Sequence, residues 1–183
     1  MLPTGHIAAG FLVGVGVATA LSPDLPSETV RMFGFWGAFW GFAPDLDEFW
    51  FFIKNRTWLV SGKEATEGSH RKFLSHAPIL WCIAGLALIV FAHDARLWIM
   101  GYVVWLAAWS HFILDSIEYG IMWFWPFTGK LYALKGAGEK SFVIEEKNFF
   151  KHSLKFLYFY SKRASFYLEI FIILAALIVF IRY

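Results

Sequence analysis

A chain of 183 residues that is 58% hydrophobic, 21% aromatic and only 16% charged lies outside the composition of soluble domains, which are about 45–50% apolar and about 25% charged. With ten Trp, 21 Phe and a mean hydropathy of +0.55, it excludes a soluble globular domain, a disordered tail, a collagen-like repeat and a disulfide-stapled secreted module. The single cysteine, Cys82, allows no intrachain disulfide and leaves the redox compartment open. A net charge of +2 and a pI near 8.6 make no case for a nucleic-acid partner.

Five apolar stretches predict an all-α, polytopic membrane helix bundle, with residues 1–183 as a single membrane domain. The first helix is expected at about 4–21, a run without formal charge. Ala18–Thr19–Ala20 has the small residues of a leader cleavage site, but no Lys or Arg precedes the run, so a retained helix is expected. The second, at about 30–44, has its uncharged part from Met32 to Pro44 and extends backward through Val30 and Arg31. The third covers about 77–92 and the fourth about 97–118. The fifth covers about 166–181, with its uncharged part from Ile170. A bilayer core takes about 20 apolar residues, so the second and fifth are the shorter candidates.

Between the fourth and fifth stretches, Gly129, Gly136 and Gly138 loosen the chain. An amphipathic helix follows at about 141–162. Lys147, Lys151 and Lys155 share one stripe, and Phe149, Phe150, Leu154 and Leu157 fall on another face. Such a helix either lies on an anionic leaflet or packs, solvated, on its own bundle. Basic residues set the topology. Lys54, Arg56, Lys63, Arg71 and Lys72 precede the third stretch, and Lys130, Lys135, Lys140, Lys147, Lys151, Lys155, Lys162 and Arg163 precede the fifth. Only Arg31, Arg96 and Arg182 lie elsewhere, so the positive-inside rule places both loops and the N-terminus in the cytoplasm.

Ionisable groups beside membrane spans are costly and therefore informative. His6 opens the first stretch, and Asp45 and Asp47 close the second. His70 and His76 lead into the third, and His111 and Asp115 end the fourth. In the topology above, all seven fall at the cytoplasmic ends of their helices. His111 and Asp115 are four apart and so share a helix face. Pro44 turns the chain out of its run, and Asp45 and Asp47 point to one side if the chain after it is extended. Neutral imidazoles and carboxylates are ligands for Zn, Mn or Fe, and seven candidates serve one or two ions. His93 falls on the outer loop and His152 in the amphipathic segment, so both are left out. Glu118 stands close enough to Asp115 to join the site, whereas Glu169 is expected to be paired or to snorkel.

His6, Gly41…Pro44–Asp45–Leu46–Asp47, His70–Arg71…Ser75–His76, Ser110–His111…Leu114–Asp115 and Gly120…Trp125–Pro126–Phe127, in that order, resemble the YdjM-type inner-membrane metal-dependent hydrolases over roughly residues 1–130. That family is similar, at a distance, to zinc-dependent phospholipase C and P1-type nucleases. These use a helical His-x-x-x-Asp pair like His111–Asp115. The resemblance implies phosphoester hydrolysis at zinc, with one or two ions, since the chain shows no counterpart to the ligands that complete a third position.

On this reading a bound cation acidifies water and polarises a phosphoryl oxygen. Arg71 clamps a phosphate in bidentate fashion, and Asp47 or Glu48 acts as general base. The partners expected are membrane lipid and a phosphoester, with a lipid phosphate favoured because the site adjoins the headgroup layer. Two other readings use the same residues: a metal-binding or transport protein, and a non-catalytic scaffold with a vestigial site.

Overall fold

A computed structural model of the chain describes residues 2–47, 50, 53, 70–134 and 149–183. Among them are six α-helices: α1 (Pro3–Leu21), α2 (Ser27–Phe42), α3 (Pro78–Val90), α4 (Ala95–Asp115), α5 (Phe149–Tyr160) and α6 (Ala164–Arg182). Three short 3-10 turns, Ala43–Leu46, His70–Lys72 and Leu74–His76, lie between α2 and α3. The molecule is a helical membrane bundle. Among the described residues, α1, α4 and α6 are long and apolar enough to cross a bilayer, while α3 is apolar but has 13 residues.

Local chemistry sets the helix ends. Pro3 and Pro78 occupy first turns, where the missing N–H costs nothing. Asp94 caps α4, accepting from the Leu97 amide at 2.8 Å, so this helix begins two residues before its uncharged run. It ends at Asp115, short of the expected 118. There Ser116 turns its hydroxyl onto the Phe112 carbonyl at 2.7 Å, and Gly120 takes a φ of 90°. The following segment doubles back through paired backbone bonds between Ile121 and Tyr132. α2 starts earlier than its apolar run, at Ser27 after Pro26. Its last expected residues tighten into the turn Ala43–Leu46 around Pro44.

α1 is central, packing against α2, α4 and α6, while α4 also contacts α2 and α3. α1 and α2 meet almost backbone to backbone through Gly10, Gly37 and Gly41. A Cβ at Gly41 would stand 2.7 Å from the His6 carbonyl oxygen. The core under this contact comprises Phe11, Val15, Ala18, Val30, Phe33, Ile99 and Val103, all buried. α1, α3 and α6 begin, and α2 and α4 end, at the same end of the bundle. At that end Glu169 of α6 accepts from Thr4 of α1, and Arg163 before α6 donates to Glu118 after α4.

Candidate metal centre

Four helix ends carry ionisable side chains to one place. His6 comes from the first turn of α1, Asp45 and Asp47 from the turn that closes α2, and His76 from the turn before α3. His111 and Asp115 come from the end of α4. His6, His76, His111 and Asp115 are at most 1% exposed and Asp45 is 6% exposed. Indole donors brace the turn before α3. Trp81 Nε1 donates to the Ser75 carbonyl at 2.7 Å, and Trp109 Nε1 to the Pro78 carbonyl at 3.0 Å.

Each imidazole has one nitrogen held by an acceptor. His111 Nδ1 lies 3.0 Å from the Gly41 carbonyl oxygen, which can only accept, so Nδ1 carries the proton. His76 Nδ1 lies 2.9 Å from Asp47 Oδ2, and His6 Nε2 lies 3.2 Å from Asp115 Oδ1. In the neutral rings the opposite nitrogens then carry lone pairs. His111 Nε2 and His6 Nδ1 are buried with no hydrogen-bond partner among the described residues. Orienting acceptors of this kind hold histidines ready for a metal.

The lone pair of His111 points into oxygen atoms. Asp45 Oδ1 stands 3.5 Å from His111 Nε2 and also 3.5 Å from His76 Nε2, and Asp115 Oδ2 stands 4.0 Å from His111 Nε2. Good hydrogen bonds are shorter, about 2.7–3.2 Å. Donor atoms sharing a tetrahedral cation at about 2.0–2.2 Å stand roughly 3.3–3.6 Å from one another. The distances from Asp45 Oδ1 to His76 Nε2 and to His111 Nε2 are of that kind. Two groups have ligand atoms mutually within 4.8 Å: His6, Asp45 and His111, and His76, His111 and Asp115. His111 belongs to both. The residues fit a divalent cation.

The charges around the turns follow the same geometry. Burial opposes ionisation of Asp45, but the imidazoles of His76 and His111 outweigh it and hold the carboxyl below its ordinary range. Burial pushes the His76 imidazole down, and the Asp45 and Asp47 carboxylates outweigh it and raise its pKa. The Asp45 carboxylate is thus ionised at neutral pH, as a ligand must be.

Asp47 stands behind His76. Its Oδ2 takes the Ser75 hydroxyl and His76 Nδ1, while its Oδ1 is buried with no hydrogen-bond partner among the described residues. Arg71 reaches the site but meets Asp115, donating from Nε to Oδ2 at 2.8 Å, with its guanidinium carbon 4.2 Å above the Tyr119 ring. Asp115 thus takes Arg71 Nε at Oδ2 and faces His6 Nε2 with Oδ1. Glu48 and the side chain of His70 lie outside the described residues. Glu118 does not join the site: it accepts from Arg163 at 2.8 Å and Ser165 at 2.7 Å. Glu169 is paired, accepting from Thr4, the Leu2 amide and Tyr160. His93 is exposed and faces Asp94. Sequence reasoning assigned no role to the Gly41 carbonyl, Ser75 or Tyr119. For Ser75 the signal was its position directly before His76, and for Gly41 its place in the motif that leads to Asp45; for Tyr119 there was none.

Comparison with curated proteins and with solved structures found no match. The match to the YdjM inner membrane protein family runs over residues 1–183, the last third included. The chain belongs to the YdjM inner membrane protein family.

Proposed function

We propose that this chain is a membrane-bound, metal-dependent hydrolase of phosphoesters, with a lipid phosphate as the favoured substrate and the site facing the cytoplasm. One observation carries the reading. Three buried imidazoles are each held at one nitrogen by Gly41, Asp47 or Asp115, and the lone pair of His111 faces the Asp45 and Asp115 carboxylates. With its proton on Nδ1, His111 turns a lone pair toward carboxylate oxygens, which repel it unless a cation lies between them. His76, His111 and Asp115 would hold one divalent ion, and His6, Asp45 and His111 form the group for a second or alternative position. Nitrogen-rich sites with carboxylates favour zinc, and Mn or Fe also take such ligands.

Bound there, a divalent cation supplies Lewis acidity toward water and toward a phosphoryl oxygen. Asp47 keeps His76 in one tautomer through Nδ1, and its Oδ1 is a place to receive a proton from water. Glu48, the next residue, is the alternative acceptor. Arg71 holds Asp115 through Nε, and we assign its guanidinium to the substrate phosphate as well. The site's position at the helix ends, beside the headgroup layer of a spanning bundle, is what favours a lipid phosphate. The carboxylates gather at one end of the bundle instead of lining a route through its middle, which weighs against a transporter.

The test is the metal content of detergent-purified protein, the parent beside His111→Ala, followed by turnover of a panel of phosphomonoesters, phosphodiesters and phospholipids. Stoichiometric metal in the parent, its loss in the variant and metal-dependent cleavage of one substrate class support the reading. Full metal occupancy in His111→Ala overturns the ligand assignment. Metal-loaded parent that cleaves nothing in the panel overturns the hydrolase in favour of a metal-binding protein. The sidedness is tested separately by a cysteine at Lys63, expected to react only from the cytoplasmic side.

A further inference from the structure

We propose that α5 is a docking surface for an anionic membrane leaflet, laid against that leaflet on the same side of the bundle as the His/Asp site. Its location follows from the links at the start of α6. Arg163 donates to Glu118 at 2.8 Å and Ser165 donates to the same carboxylate at 2.7 Å, which ties the elbow before α6 to the segment after Asp115. Glu169, in the second turn of α6, accepts from the Leu2 amide at 3.2 Å and from Thr4 at 2.7 Å, beside the start of α1. Tyr160, the last residue of α5, donates to the same Glu169. α5 therefore leaves the bundle where α1 begins and α4 ends, at the level where a spanning α6 enters the bilayer.

α5 presents one face to the bundle and an apolar stripe outward, with Phe159 also exposed, between Lys155 and Phe156 around the helix. Phe156 and Tyr160 stack with ring centroids 5.6 Å apart, and Tyr160 is buried, so this side is turned to the bundle. Phe150, Leu154 and Leu157, at i, i+4 and i+7, form a separate stripe with Tyr158 beside it, and all four are exposed, Phe150 by 76% and Leu154 by 68%. A helix solvated on its own bundle would turn polar residues outward here. Lys151 and Lys155, four apart and exposed, flank the stripe, and Lys162 sits 3.9 Å over the Tyr158 ring and bonds its hydroxyl. An apolar stripe bordered by ammonium groups suits the boundary between acyl chains and anionic headgroups. The two faces and the attachment to a spanning helix commit the occupant to lipid; the lysines commit it to an anionic one.

The test uses the full chain with Cys82→Ser and single cysteines carrying a bimane label at Phe150, Leu154, Lys151 or Lys155. The protein is reconstituted in vesicles of phosphatidylcholine alone or of an equimolar phosphatidylcholine–phosphatidylglycerol mixture, with bromine on the acyl chains. Labels at 150 and 154 are expected to be quenched about twofold or more beyond those at 151 and 155 in the mixture. Quenching should fall when phosphatidylglycerol is omitted, and again when Lys155→Glu is added to the label at 154. Equal quenching on both faces, no quenching, or quenching indifferent to phosphatidylglycerol overturns the proposal. So does disulfide cross-linking of Leu154→Cys between two copies at the expense of quenching, which would make the occupant a second copy. None of these readouts depends on metal or turnover.

Discussion

Two buried carboxylate clusters lie at the same end of this bundle, and His6 of one is two residues from Thr4 of the other. At Glu169 the polar neighbours among the described residues donate: the Leu2 amide at 3.2 Å, the Thr4 hydroxyl at 2.7 Å and the Tyr160 hydroxyl. Burial and the adjacent Glu169 both push the Tyr160 hydroxyl up, so it stays protonated and donating. That cluster is closed, and its work is to pin α6 and the end of α5 to α1. At the His/Asp site the open nitrogen of His111 meets carboxylate oxygens at 3.5 and 4.0 Å. Acceptor faces acceptor there. Burial of a carboxylate is thus no guide to chemistry; the guide is whether an imidazole lone pair also faces it, as at the His/Asp site and not at Glu169.

Substitutions that separate the clusters by metal content test this contrast. The largest effect is expected from His111→Ala. It removes the ligand common to both candidate groups, so metal affinity should fall by more than the roughly 10–100-fold typical of losing an orienting partner. Elemental analysis after dialysis reads this directly. Asp47→Asn should come next. The asparagine oxygen still accepts from His76 Nδ1, so the ring keeps its tautomer but loses the charge behind it. A fall in metal affinity of about tenfold, at the low end of that range, is expected by competition with a chromogenic chelator. An unchanged affinity would separate Asp47 from the site.

Glu169→Ala should do the reverse. Three donors lose their acceptor, two of them in hydroxyl groups, and unfolding stability should fall by about 1–3 kcal/mol, with metal content per folded protein unchanged. Glu169→Gln keeps an acceptor oxygen and should cost less. Thermal unfolding in detergent with parallel metal analysis distinguishes the two. Metal loss in Glu169→Gln while the fold persists would show that the clusters are one unit, and the contrast would fail.

Of the five expected stretches, those of α1, α4 and α6 are long and apolar enough to span, and they were legible because a long uncharged apolar run is stable only in a bilayer or a buried core. The polar helix ends were legible too, because His and Asp beside such runs are expensive. His6, Asp45, His76 and the pair His111 and Asp115, from the ends of four different stretches, do come together. What stayed hidden depends on how the helices are rotated and how close they lie. Gly41 is visible as a small residue, but its carbonyl becomes the acceptor for His111 only after Gly10 and Gly41 let α1 and α2 meet. Glu118 and Asp115 are three apart on one stretch, yet α4 ends between them. One carboxylate turns inward and the other toward Arg163. Glu169 could be recognised as needing a partner, but Thr4 stands 165 positions away in the chain.

Arg71 joins the site to its surroundings, and its replacement by Lys should have the smallest effect on metal. Its Nε bonds Asp115 at 2.8 Å while its flat face lies over Tyr119. Lysine keeps the charge but has neither a donor midway along the side chain nor a planar face. Asp115 retains His6 at 3.2 Å, so it stays in place with one support removed. Metal affinity should therefore fall only a few-fold, in line with about 0.5–1 kcal/mol for a cation over an aromatic ring. Turnover at saturating metal then asks the separate question of whether the guanidinium also orients a phosphate. Loss of one charge-assisted bond to substrate, about 1.5 kcal/mol, would lower the rate roughly tenfold at fixed metal occupancy. Equal rates for Arg71→Lys and the parent, on a phosphoester that the parent cleaves, would confine Arg71 to holding Asp115 and remove it from substrate binding.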